Sequence, residues 1–248
     1  MNNALLILIL FICLVGCSTK IIIADKDEQL YLATRNGEDI KVQELINQGA
    51  NVDYKKQYIF GDLYPINEAI RNGNLEIIKL LITHGAKIDT ESDNRHCLSD
   101  AVYKGNKKII IYLLSKGIYF NRSCTSSLIF SALDSLSFEM LKFVIEDLGV
   151  CVNSKEFLYG DTPIYETISE ERLTEAHYLI KKGANINIQN KKKETPLHEA
   201  VIAGKIKMIE LFLKHGAYIN IRDDKGLTPL DYAEKMNNMR IVELLKRK

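Results

Sequence analysis

The chain has 248 residues, of which 46% are hydrophobic and 26% are charged, and its formal net charge is +1. This composition is close to that of ordinary soluble proteins and excludes a chain that is disordered throughout. The small net charge gives no overall attraction to the phosphate backbone, so nucleic acid is not expected among the partners.

The first element along the chain is an apolar run at residues 4–15, "ALLILILFICLV". A run of this length suits the core of a signal peptide and is too short to span a bilayer as a helix. It ends in Leu14-Val15-Gly16-Cys17, which resembles the lipobox of bacterial lipoproteins. The resemblance implies cleavage before Cys17 and lipidation (acyl chains including palmitate) of that residue.

This resemblance predicts a lipoprotein signal peptide at residues 1–16 and a lipid-anchor linker at 17–25. The protein would then be held in the bacterial cell envelope, and Ser18 after the cysteine favours the outer membrane, facing the periplasm. One departure is that Met1-Asn2-Asn3 carries no Lys or Arg. The alternative is a short membrane anchor that stays uncleaved.

A repeat fills the rest of the chain, residues 26–248. Thr-Pro pairs begin at Thr162, Thr195 and Thr228, at steps of 33 residues. Weaker copies lie upstream. All the copies can be aligned on one small residue, which lies five positions after the threonine of each Thr-Pro pair. The aligned residues are Ala33, Ala69, Ala101, Ala132, Thr167, Ala200 and Ala233, which gives seven units.

The physics of one unit can be read from residues 194–220, "ETPLHEAVIAGKIKMIELFLKHGAYIN". Thr195 is a good N-cap and Pro196 suits the first helical position, where its missing N–H costs nothing. Gly204 and Gly216 can take the left-handed conformation that ends each of the two helices. One such helix pair cannot bury its own apolar surface, so the units must stack.

The motif T-P-L-H-x-A, followed by Gly and by a second helix that ends in L-x-x-G-A, resembles the ankyrin repeat. The resemblance implies an all-α ankyrin-repeat solenoid of about seven helix-turn-helix repeats with projecting loop fingers, over residues 26–248. It also implies that His198 braces neighbouring turns rather than acting as a catalytic base.

The resemblance predicts a protein–protein interaction module that binds another protein through its fingers and its concave helix face, most simply as a monomer. Two fingers carry aromatic residues, at Asn51–Pro65 and Val152–Pro163. Exposed aromatic residues at loop tips are typical of binding hot spots. The alternative is that some fold back onto the stack. The candidate partner-binding residues are Tyr54, Tyr58, Phe60, Tyr64, Phe157 and Tyr159.

The unit around Ala132 departs most from the pattern, with Ser126-Ser127-Leu128 in place of T-P-L and Leu136 in place of glycine. Either the stack bends there or a partner docks there. Charge is also uneven: residues 128–180 hold 10 acidic against 3 basic residues, and residues 181–248 hold 15 basic against 8 acidic residues. This favours solvated loops, or an acidic face that binds a basic partner.

No motif predicts catalysis, a metal site or a cofactor. Cys97, Cys124 and Cys151 lack metal-binding spacing and suit small buried positions, although a Cys124–Cys151 bridge is an open alternative. Two alternative functions remain. One is an immunity-type protein that neutralises a periplasmic toxin. The other is a hydrolase with an unrecognised site near Cys124, Ser126 and Ser127, which is disfavoured because no base lies at a suitable spacing.

Overall fold

In a computed structural model, residues 25–58, 61–88, 97–118 and 127–247 are described. The predicted signal peptide and Cys17 lie outside these residues, as do Phe60, Cys124 and Ser126. The described part of the chain contains fourteen helices and one two-stranded sheet. Within it, no helix has the length and apolar character that crossing a membrane requires.

The helices come in seven consecutive pairs among the described residues, which confirms the predicted repeat architecture. The first helices of the pairs are α1 Lys26–Asn36, α3 Pro65–Arg71, α5 Cys97–Tyr103, α7 Leu128–Asp134, α9 Pro163–Ser169, α11 Pro196–Ile202 and α13 Pro229–Lys235. The second helices are α2 Asp39–Asn47, α4 Leu75–Thr83, α6 Lys107–Ser115, α8 Phe138–Glu146, α10 Leu173–Lys181, α12 Ile206–Lys214 and α14 Met239–Lys246.

The chain divides into two compact units, one within residues 1–87 and one within residues 88–248. In the first unit, α1 packs against α2 and α3, and α2 packs against α4. In the second unit, the first helices form one continuous layer, in which α7 contacts α5 and α9, and α11 contacts α9 and α13. Within each unit, successive pairs thus bury their apolar sides against one another.

The residues predicted to begin and end the helices do so. Thr195 caps α11 with Pro196 at its first turn, and Gly204 and Gly216 have φ angles of 68° and 86°. In three repeats the corresponding turn after the first helix is made without glycine, by Leu136, Glu171 and Asn237, which have φ angles of 54°, 51° and 53°. Left-handed backbone is strained for residues with a Cβ, and less so for asparagine, so the turns at Leu136 and Glu171 cost stability.

The first finger contains a structure that the sequence pattern did not predict, an antiparallel hairpin of β1 Lys56–Tyr58 and β2 Gly61–Leu63. Its register pairs Lys56 with Leu63. The hairpin leads directly into Tyr64, which is buried and forms the N-cap of α3. This aromatic residue therefore covers the stack instead of projecting from it.

Candidate protein-binding surface

The T-P-L-H motif forms a helix start in which one buried imidazole makes contacts on both sides. The Nδ1 atom of His198 accepts a hydrogen bond from the backbone N–H of Thr195 at 3.1 Å. Its Nε2 atom lies 3.1 Å from the carbonyl oxygen of Leu227 in the next finger and donates to it. Burial lowers the pKa of His198, so the ring is neutral at pH 7 and its role is structural.

We call the residue two positions before each aligned small residue the bracing position, because in α11 it is His198. In α9 the position is held by Tyr165, whose hydroxyl lies 2.8 Å from the carbonyl oxygen of Ile188 and 2.7 Å from that of Glu194. In α13 it is held by Asp231, which accepts the Thr228 N–H at 2.8 Å. In α7 the bracing position is Phe130, which has no polar group to fasten the following finger.

The finger after α8 is held by another residue, Glu156. Its carboxylate accepts hydrogen bonds from the backbone N–H of Leu158 at 2.7 Å and of Gly160 at 2.8 Å, and from that of Tyr159. Burial raises the pKa of Glu156, but these backbone donors lower it by more, so it lies below its ordinary value. The carboxylate is therefore ionised and fixes the backbone of the tip.

The tip that Glu156 fixes is the most apolar exposed segment among the described residues. Phe157 is 87% exposed, Leu158 67% and Tyr159 58%. We call residues 156–160 the fingertip. Three consecutive exposed apolar side chains on an ordered loop resemble the aromatic anchors that dominate protein interfaces.

A neighbouring finger supports the fingertip through the main chain. The backbone N–H of Lys191 donates to the carbonyl oxygen of Tyr159 at 2.8 Å, and that of Asp224 donates to the carbonyl of Lys192 at 3.0 Å. The ammonium of Lys191 also lies 5.2 Å from the centre of the Phe157 ring. We call these main-chain bonds the finger ladder, and they place successive tips side by side.

Next to the fingertip lies a groove of about 620 Å³. Phe130 and Phe157 provide its aromatic lining, and Gly160 and Asn190 line it as well. It lies beside α7, where Phe130 at the bracing position makes no hydrogen bond to the following finger. We call this space the aromatic groove, and its size is in the range of small peptide-binding or ligand-binding pockets.

Three half-buried carboxyl groups lie on the same repeats, and we call Asp161, Glu166 and Glu199 the acidic triad. Burial is the main cause that raises the pKa of each, and the charge of Asp161 raises the pKa of both glutamates further. Asp161 accepts a hydrogen bond from the Asn190 amide at 2.9 Å. Within the described residues, the carboxylates of Glu166 and Glu199 accept no hydrogen bond and form no salt bridge, although Arg172 attracts the charge of Glu166 and Lys192 attracts that of Glu199.

A second groove, of about 710 Å³, lies on the second helices α8, α10 and α12 and includes Phe138, His177 and Tyr178. Its aromatic rings already have partners. Phe138 and Tyr178 stack edge to face at 5.3 Å, and the Tyr178 hydroxyl donates to Glu146 at 3.0 Å. This groove therefore offers less unsatisfied surface than the fingertip does.

The structure brings two of the predicted partner-binding residues together, Phe157 and Tyr159, on the fingertip. Tyr64 is buried, Tyr54 is partly buried, and the backbone of Tyr58 lies in β1. Sequence reasoning missed Phe130, Lys191 and the acidic triad. For Phe130 the signal was present, because it aligns with His198 two residues before the aligned alanine.

The structure bears on the interpretation of one cysteine and one serine, Cys151 and Ser127. Cys151 is disulfide-bonded, so its interpretation as a small buried filler is wrong. Ser127 is exposed and its hydroxyl lies 3.4 Å from that of Ser99, which is not a base. Among the described residues, no group of three or more His, Cys, Asp or Glu side chains is arranged to hold a metal ion.

Comparison with known proteins points to one family. The sequence profile described as ankyrin repeats (3 copies) matches residues 4–91, 30–124 and 167–248. A Caenorhabditis elegans homologue of transient receptor potential cation channel subfamily A member 1 is 33% identical over 101 residues, which is 39% of this chain and 8% of the channel protein. The Notch-regulated ankyrin repeat-containing protein of Xenopus laevis is 31% identical over 94 residues, which is 37% of this chain and 82% of that protein.

Two solved structures have the same fold. The ankyrin repeat domain of Bcl-3 aligns with a TM-score of 0.66 at 19% identity and covers 88% of this chain and 97% of that chain. The ankyrin repeat domain of human ASB11 aligns with a TM-score of 0.65 at 24% identity and covers 82% of this chain and 90% of that chain. At these identities the likeness concerns the fold alone.

Proposed function

We propose that this chain, which belongs to the ankyrin-repeat family, binds a protein partner through the fingertip at residues 156–160 and the aromatic groove beside it. Ankyrin repeats are generally protein–protein interaction modules. The observation that carries the proposal is the exposure of Phe157, Leu158 and Tyr159 on a loop that Glu156 and the finger ladder hold in place.

The ordering of the fingertip matters because a loop that is already ordered loses little conformational entropy on binding. Phe157 in particular has most of its surface available for burial. Burial of a large aromatic side chain is among the strongest single contributions to protein association. The fingertip therefore combines contact area with a fixed shape.

The test uses site-specific photo-crosslinking in cells that normally make the protein. A benzophenone amino acid replaces Phe157 in one variant and replaces Ile40, which is also highly exposed, in a control variant. We expect a crosslinked protein at position 157 that is absent at position 40 and is lost when Tyr159→Ala is added. Equal crosslinking at the two positions would overturn the proposal.

We further propose that the protein is tethered to the bacterial envelope through lipid on Cys17, facing the periplasm. Two observations support this. The apolar run at residues 4–15 leads into Gly16-Cys17, and Cys151 is disulfide-bonded, a state typical of oxidising compartments outside the cytosol.

Two measurements test the tether and the compartment. Labelling with radioactive palmitate should depend on Cys17, so that Cys17→Ser abolishes it and Cys97→Ser does not. In protein isolated without reductant, Cys151 should react with an alkylating reagent only after reduction. Palmitate incorporation that persists in Cys17→Ser would contradict the lipid tether.

A further inference from the structure

The aromatic groove has a structural origin in the bracing position. In α9 and α11 this position carries a group that hydrogen-bonds to the following finger, through Tyr165 and His198. Phe130 occupies the same position in α7 and lines the groove instead. In this repeat an open aromatic space therefore takes the place of the hydrogen bond to the following finger that α9 and α11 make.

The groove offers room for an apolar side chain of a partner. Phe130 is partly exposed and Phe157 is almost fully exposed, so an inserted aliphatic or aromatic side chain would remove both rings from water. Removing large apolar side chains from water is a main favourable contribution to protein association.

Two members of the acidic triad interact electrostatically with a carboxylate that lines the groove. Asp161 and Glu166 both feel the charge of Glu156, which lines the groove, and that charge raises the pKa of each. Because like charges close together repel, a cation bound at this face would reduce the repulsion among these carboxylates.

Two lysines that line the groove are already held by backbone carbonyl groups. The ammonium of Lys191 donates to the carbonyl oxygen of Phe157, and that of Lys155 donates to the carbonyl of Gln189 at 3.2 Å. Both are therefore engaged. Arg172 attracts the charge of Glu166, and Lys192 attracts the charges of Asp161 and Glu199. Within the described residues neither cation forms a salt bridge with these carboxylates, so a closer cation from a partner still has room to pair with them.

We propose that the partner presents a basic segment, with one apolar side chain seated between Phe130 and Phe157 and a neighbouring Lys or Arg placed against the acidic triad. This inference rests on the proposed function and specifies the chemistry of the partner. A positive patch facing a negative one also speeds association and rejects acidic competitors.

The test uses phage-displayed random peptides selected against the full chain, followed by fluorescence anisotropy with a labelled synthetic copy of a recovered peptide. We expect recovered peptides to carry an apolar residue flanked by Lys or Arg. Glu166→Gln with Glu199→Gln should weaken binding about tenfold or more. A matched control, Glu210→Gln with Glu243→Gln on second helices, removes the same charge elsewhere and should leave binding unchanged.

Neutral or acidic recovered peptides, no recovered peptides, or equal affinity in the Glu166→Gln, Glu199→Gln variant would overturn the inference. Failure of the inference and of the proposed function can be told apart with Phe157→Ala. If this variant loses binding while the double glutamine variant keeps it, only the basic chemistry is wrong. If Phe157→Ala binds as wild type and crosslinking at position 157 also fails, the fingertip itself is wrong. Urea unfolding of each variant checks that it is folded.

Discussion

His198 and Leu227 are joined by a hydrogen bond between successive repeats, in which the imidazole Nε2–H donates to the backbone carbonyl over 3.1 Å. The opposite ring nitrogen accepts from the N–H of Thr195, so the contact requires a neutral ring with its proton on Nε2. A protonated imidazole has no acceptor and would lose the helix cap.

The first prediction is that the stability contributed by His198 falls as pH falls from about 7 to 5. Because burial lowers its pKa in the folded protein, the unfolded chain takes up a proton at higher pH than the folded chain does. His198→Asn should cost about 1–3 kcal/mol at pH 7 and less at pH 5. The measurement is the urea midpoint of both proteins at both pH values.

The control for this measurement is His84→Asn, which removes an exposed histidine at the end of α4. It should change the midpoint little at either pH. A gap between wild type and His198→Asn that is the same at pH 7 and pH 5 would contradict the assignment of a neutral, buried imidazole.

The second prediction compares two threonines that begin equivalent helices. Thr195 caps α11 through its hydroxyl, which accepts from the His198 N–H, whereas the buried Thr162 hydroxyl has no hydrogen-bond partner in the part of the chain that the structure describes. Thr195→Val should cost about 1–2 kcal/mol. Thr162→Val should stay within about 0.5 kcal/mol of wild type or be more stable. Equal losses in chemical denaturation would show that Thr162 is also a working cap.

The third prediction concerns the turn after α7. Leu136 has a φ of 54° and its side chain is largely exposed, so Leu136→Gly relieves strain and loses little burial. We expect a gain of about 0.5–1 kcal/mol. The reverse change at the equivalent turn, Gly204→Ala, should cost about 1 kcal/mol, since open space surrounds Gly204 and only its backbone resists. A loss of stability in Leu136→Gly, measured by thermal unfolding, would exclude strain at this turn.

The fourth prediction is that neutralising the two glutamates of the acidic triad stabilises the protein. Burial raises the pKa of Glu166 and Glu199, so their charged forms disfavour folding, and this cost is present above the folded-state pKa and disappears as pH falls through it. Glu166→Gln with Glu199→Gln should raise the Tm at pH 7 by about 1–3 °C. The gain over wild type should shrink toward pH 4, and a lowered Tm at pH 7 would contradict mutual repulsion.

Much of the fold could be predicted from the sequence because its signals are local. Thr195, Pro196 and Gly204 each act within one turn of helix, so their residue types indicate the helix bounds directly. The repeat spacing then gives the helix pairs without further information. The hairpin at Lys56–Leu63 was missed because the segment lacks the alternation and the turn pair that mark hairpins.

The site was only partly predictable because exposure depends on neighbours that are distant in sequence. Tyr64 and Tyr159 are both aromatic finger residues, yet one is buried at the start of α3 and the other projects. Tyr64 leads directly into a helix, whereas Tyr159 lies on a tip whose backbone is held by Glu156. The aromatic groove depends on Phe130, whose importance appears only when the bracing position is compared across repeats.

The finger ladder separates the shape of this surface from its chemistry. Main-chain groups of Lys191 and Asp224 set the spacing of the tips, and every non-proline residue supplies the same groups. Side chains at the tips are therefore replaceable without moving the loops, so the surface can acquire a new partner by point substitutions while its scaffold stays constant. Such a surface suits directed selection, in which tip residues are randomised and the folded frame is inherited unchanged.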